Sequence, residues 1–369
     1  MTAAPGGELR APYFQEWSFG VEHQFGTTTS LHAQYVDTRA LNQPYLSQEN
    51  GYQTVCPGCF APFPYMQPTD PRFGAVAQLS TGADSHYHGL QLTAERRMGR
   101  GLKGQINYTL SRCRDQVSNG GFLQFSSGGI LSPLPGELAR DDGPCDYDIR
   151  HNFTAQYVYD LPLKVRSQRL GYALNDWQVS GTAFWHSGIP FSVESTPYSD
   201  AGNGIVQGSG PEFASEVPGV PLYQKRPVAG MTDAGTLQWL NPNAFVSAVD
   251  PSTGACAGGD NSTNCQFGTL GRNALRGPQF FWSDLYLTKS IPLAEHVKLR
   301  LEGQFFNVFN HPNFALPSIV LAGIPGKPGT QTGFGALTST TSPPTGLLGV
   351  GLGGDNAPRM IAFHARIEF

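Results

Sequence analysis

The residues able to do chemistry fall into a few small groups. Six cysteines come as three pairs along the chain: Cys56/Cys59, Cys113/Cys145 and Cys256/Cys265. Each pair sits in, or brackets, a different long segment rich in Gly and Pro. In an oxidising compartment such pairs staple loops as disulfides, and that is the role expected of all six. The lone CPGC at 56–59 has two rivals, zinc and redox chemistry. Zinc needs a second ligand pair at suitable spacing, and a redox dithiol belongs in a βαβ context; neither accompanies it. His86 and His88 stand two apart on a predicted strand, so their side chains share a face, and Asp84 is near. That is a conceivable metal-ligand set. The plainer expectation makes them polar residues facing a wet lumen close to a loop, with no metal and no cofactor. Asp146, Asp148, Arg150 and His151 crowd a loop-to-strand transition. They are expected to form an ion-pair cluster at the strand's outer end, with a ligand contact as the alternative. His311 precedes Pro312, which cannot donate to a strand ladder, and reads as a strand exit. No GxSxG, HExxH or phosphate-cradling loop is present, so the chain is expected not to be an enzyme.

Composition narrows the class. The 369 residues are 14% charged with a net charge of −4, and include 45 Gly and 29 Pro. Nucleic acid as a partner would call for a basic patch, and none is expected. No apolar run approaches the ~18 residues of a membrane-spanning helix. The first residues, MTAAPGGELRAPYFQEW, lack the basic start and apolar core of a signal peptide.

The chemistry-bearing residues are carried between segments of period-two patterning, the repeat of a strand with one apolar and one polar face. The clearest lie at the C-terminal end. Val297, Leu299, Leu301, Gly303 and Phe305 alternate with Lys298, Arg300, Glu302 and Gln304. Ile361, Phe363, Ala365, Ile367 and Phe369 alternate with Ala362, His364, Arg366 and Glu368. So much charge on one face suits a strand with lipid on one side and water on the other. The same alternation predicts strands near 16–25, 30–35, 87–97, 102–111, 153–159 and 177–185, and a hairpin over 280–310 turning at Pro292–Glu295. A further short strand near Phe191–Glu194 makes the count nine or ten.

The connections alternate between short and long. One loop of roughly 45 residues carries CPGC, a Gly-rich segment covers roughly 187–279, and another covers roughly 311–358. Tight turns at one end and long loops at the other are the asymmetry of outer-membrane barrels. All three cysteine pairs then fall on the outer side. Trp17, Phe25, Tyr35, Trp177, Trp185, Phe281 and Phe309 lie near strand ends, as interfacial girdles do; a soluble β-protein would use them as core. Such barrels have an even strand number with both ends periplasmic. Nine strands ending on a periplasmic Phe would start outside, so further strands are expected upstream.

Blocks of the sequence also carry a family resemblance. GRNALRGPQFFWSDLYLTKSIPL, VKLRLEGQFFNVFNHPNF and PRMIAFHARIEF resemble the C-terminal end of TonB-dependent receptors of the Oar-like kind. EWSFGVEHQFGTTTSLHAQYVDTRA, SHYHGLQLTAERRMGRGLKGQINYTLSR, DYDIRHNFTAQYVYDLPL and DWQVSGTAFWHSGIPFSV fit the same pattern in the same order. The resemblance implies an outer-membrane barrel of about twenty-two strands around an N-terminal plug, importing bulky solutes with energy passed through TonB. Nothing here matches the plug, the carboxypeptidase-regulatory-like domain of Oar-like members, or a TonB-contacting segment.

The expected fold is therefore all-β: an antiparallel meander of about nine or ten strands, part of a large transmembrane outer-membrane β-barrel with long extracellular loops. Residues 1–369 are expected to be the C-terminal portion of that barrel domain. Expected partners are outer-membrane lipid, the upstream strands and plug, an unidentified bulky solute, and TonB only through the N-terminal part. The alternatives are a passive porin-like small barrel, a secreted all-β binding module and, more remotely, an outer-membrane enzyme.

Overall fold

The computed structural model describes residues 9–48, 77–99, 101–118, 138–195, 214–227, 237–246, 269–318, 333–341 and 358–369, with short pieces at 4–5, 52–54, 66–68, 70, 72, 131–132 and 320–321. Nine long strands carry the architecture. They are β1 (Tyr13–Phe25), β2 (Thr29–Gln48), β3 (Ala77–Gly99), β4 (Leu102–Asp115) and β5 (His151–Asp160). After the seven-residue helix α1 (Gln168–Leu174) come β6 (Trp177–His186), β7 (Phe280–Ala294), β8 (Val297–Phe306) and β9 (Met360–Glu368). They pair in chain order, each antiparallel to the next. Among the described residues β1 and β9 do not pair with each other, so the sheet keeps two open edges. No helix among the described residues is long and apolar enough to cross a membrane.

One end of the sheet is tightly turned. β1–β2 closes at 26–28, β3–β4 between Gly99 and Leu102, and β7–β8 at 295–296. At the second of these Gly101 has φ +81°, and a Cβ there would press on the Asp160 carbonyl at 2.8 Å; both demands point to glycine. At the other end the strands run on beyond expectation. The loop of roughly 45 residues after the second strand shrinks because β2 continues to Gln48 and β3 starts at Ala77, pairing through a bulge between Ala40 and Gln43. The bulge breaks the period of two there, which hid the extension.

The two faces of the meander differ sharply. On one face polar side chains bond from strand to strand. Thr93 donates to Asn107 Oδ1 at 3.1 Å and Asn107 Nδ2 donates to Thr154 Oγ1 at 3.1 Å. Gln156 donates to Gln105 at 3.2 Å, and Thr288 to Glu302 at 3.3 Å. The other face holds Phe19, Val21, Ile106, Tyr157, Phe363 and Ile367, all exposed, with Phe19 at 72% and Phe363 at 81%. Among the described residues nothing packs against these apolar side chains.

The buried apolar cluster lies elsewhere. Phe191, Val193, Ala214, Leu240, Ala244, Phe245, Leu270, Leu275, Leu321 and Phe334 form it, and none of them belongs to the nine strands. The segments between β6 and β7 and between β8 and β9 build this core together. Glu194–Ser195 pairs with Val320–Leu321, and Leu237–Leu240 pairs with both Tyr223–Pro227 and Ala336–Leu337. The expected Gly-rich loop, with one short strand near Phe191–Glu194, is in its described parts a small packed subdomain on the long-loop end.

Asn313 ties this end to the sheet. Its Oδ1 accepts the Phe281 amide and its Nδ2 donates to the Phe281 carbonyl, both at 2.8 Å, so a side chain replaces a missing strand partner. Asn313→Ala is expected to cost about 2 kcal/mol, because two backbone groups lose their partner. Denaturant unfolding in detergent measures this; an unchanged midpoint overturns it. The strand exit expected at His311 comes earlier. β8 stops at Phe306, where Asn307 (φ 48°) and Asn310 (φ 52°) turn left-handed.

Candidate functional site

Past its last apolar outer-face residue, Leu110, β4 continues into Cys113, Arg114 and Asp115. Cys113 is bonded to Cys145 as a disulfide with Cα atoms 5.3 Å apart. Gly143 and Pro144 pair with Asp115 and Arg114 as a short antiparallel ledge. Onto this ledge folds the stretch 271–276. Arg272 is ion-paired with Asp115, both side chains 4% exposed, and lies 3.7 Å from Asp146. Its Nε donates to the Asp141 carbonyl at 2.7 Å, and Nη1 donates to the Ser118 carbonyl and hydroxyl at 2.8 and 2.9 Å. Asn273 Nδ2 reaches Asp146 Oδ1 at 2.7 Å and the Pro144 carbonyl at 2.8 Å. Arg276 pairs with Asp148, whose Oδ1 also accepts the Cys113 amide at 2.7 Å. At Gly143 a Cβ would overlap the Arg272 carbonyl oxygen, so only glycine lets the two chains pass.

The result is a buried clasp holding the loop subdomain to the rim. Burial pushes the Asp115 carboxyl up from the usual carboxylate range, and the charge of Arg272 pulls against it. Of the four residues expected to cluster, Asp146 and Asp148 are in the clasp. The other two are not part of it. The Arg150 carbonyl accepts the Ser111 amide at 3.0 Å, and His151 opens β5 with its Nδ1 2.8 Å from Tyr108 Oη. The cationic partners, Arg272 and Arg276, are the two arginines of the block GRNALR, and nothing in their spacing from the aspartates announces the pairing. Cys56, Cys59, Cys256 and Cys265 lie outside the described residues.

Beside the clasp a cleft of about 640 Å³ opens between the strand ends and the loop subdomain. Its walls include Trp185, Tyr223, Trp239, His151, Arg276 and His311. The Tyr223 and Trp239 rings meet edge to face at 6.0 Å. Tyr223 Oη accepts the Arg276 amide at 2.8 Å, and burial pushes its phenol up. Aromatic faces with a few fixed polar groups are the makings of a binding cleft. Ser187, also on its wall, accepts the His151 amide at 3.1 Å.

The histidines sit differently from expectation. In the pairing of β2 with β3, Leu31, Ala33, Tyr35 and Asp37 stand opposite Ala94, Leu92, Leu90 and His88. No bulge interrupts this stretch, so His86 and His88 share the apolar side with Leu90 and Leu92. The lumen-facing placement is thus corrected: a period of two carries the outward face two residues beyond its last leucine. The carboxylate that joins them is Asp37 from the neighbouring strand, with Oδ2 2.8 Å from His86 Nε2. Asp84, expected nearby, instead uses its amide to reach Gln116 at 3.0 Å.

The sequence from residue 2 to 348 matches the family described as outer membrane beta barrel domain. The chain belongs to that family. No curated protein matches the sequence. Among solved structures it is similar to the outer membrane transporter YddB from Escherichia coli, at 10% identity over 90% of this chain and 32% of that one, TM-score 0.40. It is similar to the ferric-catecholate import receptor Fiu from Escherichia coli K12 at 10% identity, covering 100% and 30%, TM-score 0.40. The pyoverdine outer membrane receptor FpvA from Pseudomonas aeruginosa PAO1 gives 12% identity, 98% and 30%, TM-score 0.41. The chain spans about a third of the length of these proteins.

As an outer-membrane barrel domain, the chain turns its exposed apolar face to lipid. Trp17 and Phe25 on β1 are eight residues apart, as are Trp177 and Trp185 on β6. At about 3.3 Å per residue that is roughly 26 Å along a tilted strand, and it brackets most of the ~25 Å apolar band of such barrels. At the tightly turned end of the barrel Lys289 lies over the Trp177 ring, 5.9 Å from its centroid, and donates to the Asn175 carbonyl. This buried ammonium at the band's edge thus has a carbonyl and an aromatic face in place of water.

Proposed function

We propose that this barrel domain is part of a TonB-dependent receptor. It supplies nine strands of a larger wall and presents the loop subdomain outward as the surface that recognises a bulky solute. One observation carries the reading: the buried apolar cluster of the described residues lies in the long-loop subdomain, while the strands keep their apolar side bare for lipid. A rigid scaffold holding structured loops is how binding surfaces are commonly built. The ordered sequence blocks support the receptor class. The two open edges favour partnership with further strands over a self-closed small barrel, since in lipid each unpaired backbone group costs several kcal/mol. The exposed apolar faces disfavour a soluble secreted module. Energy coupling through TonB and a plug belong, in this reading, to parts of the receptor beyond these residues, and the role is transport and not catalysis.

The test uses the full-length receptor in cells. Protease added to intact cells is expected to cut within 187–279 and leave β3–β6 protected; cutting only after the outer membrane is opened overturns the outward orientation. Excising 190–275 is expected to abolish solute binding while the barrel still inserts. Unchanged binding sinks the recognition role.

A further inference from the structure

We infer that Asp37, His86 and His88 form a site for a divalent transition-metal ion of the zinc class, on the lipid-facing side of the barrel just beyond its apolar band. One ligand atom from each residue lies within 4.8 Å of the others. His86 Nε2 and Asp37 Oδ2 are 2.8 Å apart, and the two imidazole rings have centroids 5.5 Å apart. Ligands at about 2.0–2.1 Å from a tetrahedral zinc are roughly 3.3 Å from one another, so small side-chain rotations suffice. The strand geometry makes this possible: His86 and His88 alternate onto one face, and Asp37 is directly opposite His88 on β2.

A second observation supports it. Trp17, on β1, donates its indole N–H to Asp37 Oδ1 at 2.7 Å, leaving Oδ2 aimed at His86. An outer partner that fixes a carboxylate is a recurrent feature of metal sites. The donor set of two imidazoles and one carboxylate suits zinc, nickel or copper, whereas calcium and magnesium prefer all-oxygen shells. Three protein ligands leave a fourth position for water or an exchangeable ligand. On binding, the metal replaces the hydrogen between His86 Nε2 and Asp37 Oδ2, and the neutral imidazole carries its one ring proton on Nδ1. The flanking charges set the strength. His86 is opposite Arg39 and Arg114, and His88 is opposite Arg112. Arg114 is neutralised by Asp142, while Arg39 and Arg112 oppose a dication and hold the affinity below that of four-ligand structural sites. The site joins β2 to β3 directly and β1 through Trp17, beside the open edge of the sheet.

Cobalt(II) is the probe, added to the full chain refolded in detergent micelles under non-reducing conditions. One equivalent is expected to give visible ligand-field absorption without the near-ultraviolet band of thiolate ligation, and zinc is expected to displace it. His86→Ala and His88→Ala should each remove the absorption, with folding checked by heat-modifiable gel migration. His88→Gln, of similar size, serves if the alanine variant misfolds. Trp17→Phe should weaken binding about 10- to 100-fold while the spectrum keeps its shape. No absorption in the parent chain, an unchanged spectrum in the double histidine variant, or equal displacement by calcium overturns the proposal.

Discussion

Arg272→Ala is expected to destabilise the loop subdomain by about 3–5 kcal/mol, the usual consequence of removing one partner from a buried ion pair. Arg272 and Asp115 are each 4% exposed, and Arg272 also caps the carbonyls of Asp141 and Ser118. Removing it strips the buried carboxylate of its counter-charge and leaves it the Ser118 hydroxyl, which donates at 2.7 Å. The loss carries a pH signature with a definite sign. Without the guanidinium, burial raises the folded-state pKa of Asp115 further above its unfolded value near 3.9. A carboxyl shifted that way contributes stability below its unfolded pKa and loses it as pH rises through the folded value. The variant's deficit should therefore deepen from acid to neutral pH. Limited proteolysis and denaturant unfolding at pH 5 and pH 8 measure it. A deficit below about 1 kcal/mol, the range of an exposed pair, or one independent of pH, would show that the clasp is not buried in solution. Replacing both partners together by apolar residues of similar size should recover much of the loss.

Ile106→Arg is expected to cost about 2–4 kcal/mol, the penalty of an arginine near the mid-plane of a lipid-facing strand. Ile106 is half exposed in the middle of β4, between Ala94 on one side and Ala155 on the other. The same substitution one face over, Gln91→Arg, should be nearly silent, because Gln91 stands between Gln34 and Thr109 on the polar side. Unfolding titrations in phospholipid bilayers compare the two. Equal costs would mean that the faces are not divided between lipid and water, and the membrane reading of the sheet would fall with that result.

The strands were legible because their signal is local. A period of two along 297–305 or 361–369 states which face is apolar without reference to anything distant, and short turns such as 26–28 and the one between Gly99 and Leu102 follow from Gly and spacing. That was enough to order all nine long strands and their two faces. It also placed the aromatics Phe25, Trp177 and Trp185 at their ends, whereas Trp17 lies four residues inside β1. The strand ends blurred where a bulge broke the period, as between Ala40 and Gln43. Polarity alone places the histidines on the wet side, whereas their phase with Leu90 and Leu92 puts them on the apolar one.

The sequence by itself thus determined an antiparallel meander with a lipid side and a wet side, since alternation is a property of neighbours along the chain. Only the tertiary structure decided what meets at the outer rim. Asp115 and Arg272 are 157 residues apart, and Asp148 and Arg276 are 128 apart. The loop core depends on pairings such as Glu194 with Val320. Those strands are two to five residues long, too short for any repeat to register. Asp37 joins His86 and His88 only once β2 lies beside β3 in one register. Contacts of this kind are set by how the loops close over the barrel's end, and no spacing along the chain encodes them.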